Sequence, residues 1–266
     1  MKGSKRPQTG IKTAVIRIFS THIVSDNDRI FSSEAPESAD MNANAPAAEI
    51  IHAFAVPLAM TRLPEAESLN RQLKTLFLER EARGDLYANP EPRVKRNRTL
   101  FESRFDLFEW PEACVQQLKT FCLGQLYQLF GSLNGYQQQQ LQQMHFGLEA
   151  WFHMTRGGGY FAAHNHPNHS WSGVYCVQHD GDDPDSDSGK LCFLNPNLAS
   201  NMYVDAANVR LQRPFSGAPL MFRLEPGQLV LFPSWLLHEV MPYEGSSERI
   251  TVAFNARFRY TGSGIL

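Results

Sequence analysis

Three histidines stand where chemistry can converge. His164 and His166 lie in the run His164-Asn165-His166-Pro167, just ahead of an apolar stretch that begins at Trp171. In an extended chain residues i and i+2 share a side, so both imidazoles can aim at one point. Neutral imidazole is a good ligand for iron, zinc, copper or nickel, although an HxH pair alone is also compatible with two ordinary hydrogen-bonded histidines. A second segment brings a third imidazole. Glu225-Pro226-Gly227 reads as a turn, 228–232 as a buried strand and Pro233-Ser234-Trp235 as a bend, and His238 follows where the next strand begins. Arg249, eleven residues further on, opens a run over 249–258 that otherwise reads as largely buried. A cation in such a place needs a partner, because an uncompensated charge in a dry site costs several kcal/mol. A dicarboxylate ligand would supply it, with one carboxylate in the guanidinium fork and the other end chelating the metal.

These residues need a frame. From about Phe146 onward, short alternating or apolar runs at 172–178, 190–194, 220–224, 228–232 and 249–258 are separated by turn residues. This texture predicts strands, and about eight of them would form a jelly roll whose mouth can hold a ligand. The first half reads differently. Residues 52–58 look like a strand, and Pro64-Glu65 then opens a helix with Leu69, Leu73, Leu76 and Phe77 on one face. Pro111-Glu112 opens a second helix carrying Val115, Leu118, Cys122, Leu126 and Leu129, with Gly131 expected after its last turn. The glutamine-rich tract 137–143 reads as a helical or loop surface. The expected class is mainly β with flanking helices, N-terminal helices covering the β core. Residues 1–48 lack a sustained period and read as a loosely packed or disordered lead, within which Met41 is an alternative start. Residues 49–266 read as a single domain, with helical support over 60–145 and the β core over 146–260.

Composition narrows the function classes. With 42% hydrophobic and 20% charged residues the chain is of ordinary globular type. Its 25 basic and 27 acidic side chains nearly cancel, which argues against a phosphate-tracking partner such as nucleic acid. No apolar run approaches the roughly 20 residues that cross a bilayer, and without a signal segment the expected location is cytoplasmic. Cys114, Cys122, Cys176 and Cys192 form no CxxC pair and read as reduced thiols. The aspartates at 180, 182, 183, 185 and 187 lack the glycine and closing glutamate of a calcium loop and read as a solvated hairpin loop. Trp151 and Trp171 read as core more than pocket, Trp235 as an anchor of its bend, and 93–98 as an exposed basic loop.

The two histidine segments, HNHPNHSWSGVYC and FPSWLLHEVMPYEGSSERITVAFN, resemble the 2-oxoglutarate and iron(II)-dependent oxygenase family typified by HxHPxxxxSGVYY followed by FPSWLxHxVxP and RIxxxFN. The likeness spans roughly residues 50–260 and is strongest in the last hundred. It implies a double-stranded β-helix, iron(II) bound by His164, His166 and His238, and 2-oxoglutarate held at its distal carboxylate by Arg249 and Thr251, with Tyr175 as a further donor. It also implies consumption of dioxygen, release of succinate and carbon dioxide, and oxidation, by expectation hydroxylation, of a second substrate that the sequence leaves unidentified. The chain departs from the pattern at His166, where most such enzymes place a carboxylate; His169, His179 and Asp180 are the nearby substitutes. It departs again at Cys176, where the family usually has an aromatic residue. Two other readings fit the same histidines: a cupin-like three-histidine dioxygenase independent of 2-oxoglutarate, and a metal-binding β-helix without catalysis.

Overall fold

A computed structural model describes residues 48–51, 53–97, 99–180, 183 and 185–262. The chain divides into Met1–Ile51 and His52–Leu266. Met41 and the expected lead up to residue 47 lie outside the described residues.

The predicted strand over 52–58 is not formed by the described residues 53–58. Pairing starts one residue later, in β1 (Ala59–Arg62), which joins β8 through Ala59↔Leu231 to Arg62↔Gln228. Pro57 has no N–H to give a ladder, so pairing begins beyond it; Val56 and Leu58 are spent on packing. The expected helix follows as α1 (Ala66–Ala82), and its Leu69, Leu73, Leu76 and Phe77 are all buried. After β2 (Leu100–Glu102) comes α2 (Ala113–Asn134), which runs through Gly131 and ends at Gly135 with φ 68°. Gly135, with no Cβ to oppose a left-handed turn, is the residue that stops the helix. Gly131 serves packing, since a Cβ there would stand 3.1 Å from the Leu141 side chain. A five-residue α3 (Gln138–Gln142) occupies the glutamine tract.

The remaining strands are β3 (Met144–Thr155), β4 (Gly159–His164), β5 (Trp171–Gln178), β6 (Leu191–Phe193), β7 (Leu220–Phe222), β8 (Gln228–Pro233), β9 (His238–Tyr243) and β10 (Arg249–Tyr260). They build two sheets, β1-β8-β5-β10-β3-β2 and β4-β9-β6-β7, in which every strand pairing is antiparallel. The expected strand half is therefore present. Among the described residues the count is ten, because the N-terminal half contributes β1 and β2 as edges.

Alternation assigns the two faces of the larger sheet. On β10, Ile250, Val252, Phe254 and Ala256 pack with Leu73, Phe77, Leu118 and Leu126 of the helices, and the Phe77 and Phe152 rings stack at 4.2 Å. Each of these side chains except Ala256 contributes about 1.5–3 kcal/mol by leaving water. Arg249, Thr251, Ala253 and Asn255 turn the other way, into a cavity between the sheets. At Gly173, on β5, a Cβ would come within 2.4 Å of the Phe254 ring, so the Ser-Gly-Val-Tyr segment admits only glycine there. The smaller sheet has less cover: on β4, Tyr160 and Ala162 are half-buried and Ala163 is exposed, and on β9 Glu239 and Met241 are half-buried.

Candidate metal centre

Strand pairing brings the histidines together. His164 ends β4, His238 begins β9, and the two are direct cross-strand partners. His166, two residues past β4, is tied down by its backbone N–H, which donates to the Ser234 carbonyl in the bend after β8 at 2.9 Å. The same bend is locked to the larger sheet, since Ser172 Oγ lies 2.8 Å from Ser234 Oγ and donates to Asn255 Oδ1 at 2.7 Å. The ring centroids of the three histidines are separated by 4.4, 5.0 and 5.1 Å. One ligand atom from each falls within 4.8 Å of the other two, which makes a group able to hold a metal ion.

Their protonation suits that task. Nδ1 of His164 lies 2.8 Å from the Ala162 carbonyl and Nδ1 of His238 lies 2.9 Å from the Leu236 carbonyl. A carbonyl only accepts, so the proton stands on Nδ1 and the Nε2 lone pair is free to ligate. Burial, the largest cause, lowers all three pKa values, with His166 at about 2 and His238 at about 3. All three rings are thus neutral near pH 7.

Among the described residues no carboxylate joins the cluster. His169 lies 3.7 Å from Glu149, Asp180 is hydrogen-bonded to Ser247, and His179 sits beside Tyr243, so none of the three substitutes takes part. Three neutral ligands leave a divalent ion its full charge, and that favours an anionic chelator more strongly than a site with a carboxylate ligand would.

Arg249 supplies the second charge. It is 3% exposed and has no acidic partner among the described residues; its Nε lacks any hydrogen-bond partner, and burial lowers its pKa. It lines the same cavity as the histidines, together with the buried Thr251. A buried guanidinium with no acidic partner among the described residues, and three imidazoles facing the same cavity, fit a metal ion and a diacid.

Tyr175 does not belong to this set. Its hydroxyl donates to Asn70 Oδ1 on α1 at 2.8 Å, and its ring is buried among the helices. Strand alternation is the reason: Ser172 and Val174 line the cavity, so Tyr175 must face away. The residue beside it that turns inward is Cys176, a buried thiol whose pKa burial raises to about 12.

The sequence reading missed a half-buried polar group on the cavity wall. His153 on β3 lines the cavity, and its Nε2 lies 3.1 Å from Glu102 Oε2. Glu102 also accepts from Asn89 at 2.6 Å and pairs with Arg96 at 2.8 Å, so Arg96 is anchored here and the basic stretch is not simply an exposed loop. The signal was the alternation Trp151, His153, Thr155 on one face of a strand. Trp151 is both buried and cavity-lining, Trp171 packs against the helical side, and Trp235 is 53% exposed on its bend.

Residues 149–255 match the family model described as "Putative 2OG-Fe(II) oxygenase". No curated protein matches the chain. Among solved structures, a prolyl-4-hydroxylase from Pseudomonas putida is 21% identical, covers 78% of this chain and 94% of its own, and superposes with a TM-score of 0.50. AviO1 from Streptomyces viridochromogenes Tue57 is 15% identical over 79% and 92%, with a TM-score of 0.49. HygX from Streptomyces hygroscopicus, with nickel and 2-oxoglutarate bound, is 10% identical over 76% and 82%, with a TM-score of 0.44. The bacterial prolyl-4-hydroxylase shows that the paired sheets are the double-stranded β-helix.

Proposed function

From the premise that the chain is a 2OG-Fe(II) oxygenase over residues 149–255, we propose that His164, His166 and His238 hold the iron and that Arg249 and Thr251 hold 2-oxoglutarate. The observation that carries this reading is the buried Arg249, with no acidic partner among the described residues, in the same cavity as three neutral imidazoles. It favours a diacid co-substrate over a three-histidine dioxygenase that uses none. When bound, iron(II) supplies the activation of dioxygen that couples oxidation of 2-oxoglutarate to succinate and carbon dioxide with oxidation, by expectation hydroxylation, of a second substrate.

The chain's own residues bind and orient. The carbonyls of Ala162 and Leu236 keep the His164 and His238 rings in the ligating tautomer. The Arg249 fork takes the distal carboxylate, where burial makes the pairing strong, and the Thr251 hydroxyl adds a donor one pleat away. Leu191 and Val240 line the opposite wall with apolar surface, and Phe232 adds to it from the larger sheet. We assign residues 49–266 to one oxygenase domain, and the four buried free thiols support a reducing, cytoplasmic setting.

Anaerobic titration with iron(II) and 2-oxoglutarate tests the assignment through the weak visible charge-transfer band of the chelate. His238→Ala abolishes the band and Arg249→Ala weakens it. A band that persists unchanged in both variants refutes the ligand set.

A further inference from the structure

We propose that His153 is a third anchor for the distal carboxylate of bound 2-oxoglutarate, held in place by Glu102; this rests on the reading of the cavity given above. The register places it. His153 is the direct cross-strand partner of Thr251 on β10, and Glu102 is the direct partner of His153 on β2. Opposed residues on one face of a sheet have Cβ atoms about 4.5–5.5 Å apart. A carboxylate held between Arg249 and Thr251 therefore lies within reach of the His153 ring, which lines the same cavity.

The hydrogen bonds give that ring a direction. Its Nε2 edge is occupied, with Glu102 Oε2 at 3.1 Å and the Trp151 indole N–H donating to Nε2 at 2.9 Å. Nδ1 has no hydrogen-bond partner among the described residues, and 13% of the side chain remains accessible. A neutral ring that accepts from Trp151 at Nε2 carries its proton on Nδ1. A proton on Nε2 would instead set N–H against the Trp151 N–H. Nδ1–H is therefore the donor, and its open edge is the one a ligand carboxylate can meet.

Glu102 is placed to hold the ring and not to bind ligand. It is 7% exposed, and Asn89 and Arg96 take up its other oxygen. Charge also fits the assignment: Arg249 on β10 and Arg96 beside β2 flank His153, so an anion entering between Arg249 and the ring meets donors on both sides.

The test is calorimetric titration of the full chain, loaded with manganese(II) as a redox-silent stand-in, with 2-oxoglutarate and with 2-oxopentanoate, which lacks the distal carboxylate. Loss of one hydrogen bond to a charged acceptor weakens binding about 10- to 100-fold. His153→Leu is therefore expected to raise the Kd for 2-oxoglutarate by that factor, leaving the affinities for manganese(II) and 2-oxopentanoate unchanged. His153→Gln keeps an N–H donor and restores most of the loss, and Glu102→Gln gives an intermediate weakening. Should His153→Leu lose manganese(II), the Gln variants carry the test. An unchanged Kd for 2-oxoglutarate overturns the assignment of His153 alone, as does an equal loss for both keto acids. Wild-type protein that binds manganese(II) but no 2-oxoglutarate overturns the parent reading and this one with it.

Discussion

Arg249→Met separates what Arg249 does for the fold from what it does for the ligand. The guanidinium is 3% exposed with no acidic partner among the described residues, so the ligand-free protein carries an uncompensated cation in a largely apolar cavity. A buried ion without a partner carries a desolvation penalty of several kcal/mol, and a well-packed apolar side chain of similar length is expected to recover about 2 kcal/mol of it. For a folded unit of this size that is roughly 4–8 °C in Tm. Ligand acts in the opposite sense. At a hundredfold excess over Kd, 2-oxoglutarate stabilises the wild type by about 2.7 kcal/mol, a shift of similar size. The two melting curves therefore cross: Arg249→Met melts higher without 2-oxoglutarate and barely moves when it is added, whereas the wild type starts lower and rises. Thermal denaturation with manganese(II), with and without 2-oxoglutarate, reads this directly. A variant that melts below the wild type without ligand and then gains the full ligand shift refutes the argument, because Arg249 would then be neither unpaired nor a ligand anchor.

Other outcomes follow from the same geometry. Tyr175→Phe leaves Asn70 Oδ1 without its buried donor and costs about 1–3 kcal/mol in urea unfolding; because the hydroxyl faces the helices, the affinity for 2-oxoglutarate stays at the wild-type value, and a tenfold loss would return Tyr175 to the cavity. The histidines set a pH dependence. His166, His238 and His179 have folded pKa values of about 2, 3 and 4, below the unfolded value near 6.5. Below pH 6.5 the unfolded chain therefore binds protons that the folded one excludes. Metal-free stability is complete above that pH and falls toward pH 4; a urea midpoint that is flat from pH 7 to 5 contradicts this. Gly173→Ala forces a methyl into the Phe254 ring and lowers the urea midpoint by about 1–3 kcal/mol equivalent, and an unaltered midpoint would mean that the ring has room to move.

The histidines were legible because their geometry is local. The spacing of His164 and His166, and a bend ahead of His238, need no knowledge of which strands pair. Arg249 was legible through its context, a lone cation opening a buried strand. Tyr175 shows where such reading fails. A tyrosine one residue before a cavity-facing position looks equivalent in sequence, yet strand parity sends it to the other side of the sheet, and the parity is set by Ser172 and Val174 lining the cavity. His153 and Glu102 are 51 residues apart and become a pair only when β2 adds to β3, a pairing that no local pattern announces. The start of β1 and the extent of α2 were misplaced for backbone reasons, a proline without an N–H and a glycine used for close packing.

The unequal cover of the two sheets has a consequence for how the centre ages and reloads. His164 and His238 hang from the leaner wall, whereas Arg249 and Thr251 are rooted in strands clamped by two helices. Local opening should therefore begin around β4 and β9, so that an ion held at the proposed centre would be freed at a cost below that of global unfolding while the proposed carboxylate seat stays intact. Demetallation of the proposed centre would then be a reversible fluctuation in a standing scaffold, and deuterium uptake should reach residues 159–164 and 238–243 well before it reaches 249–256.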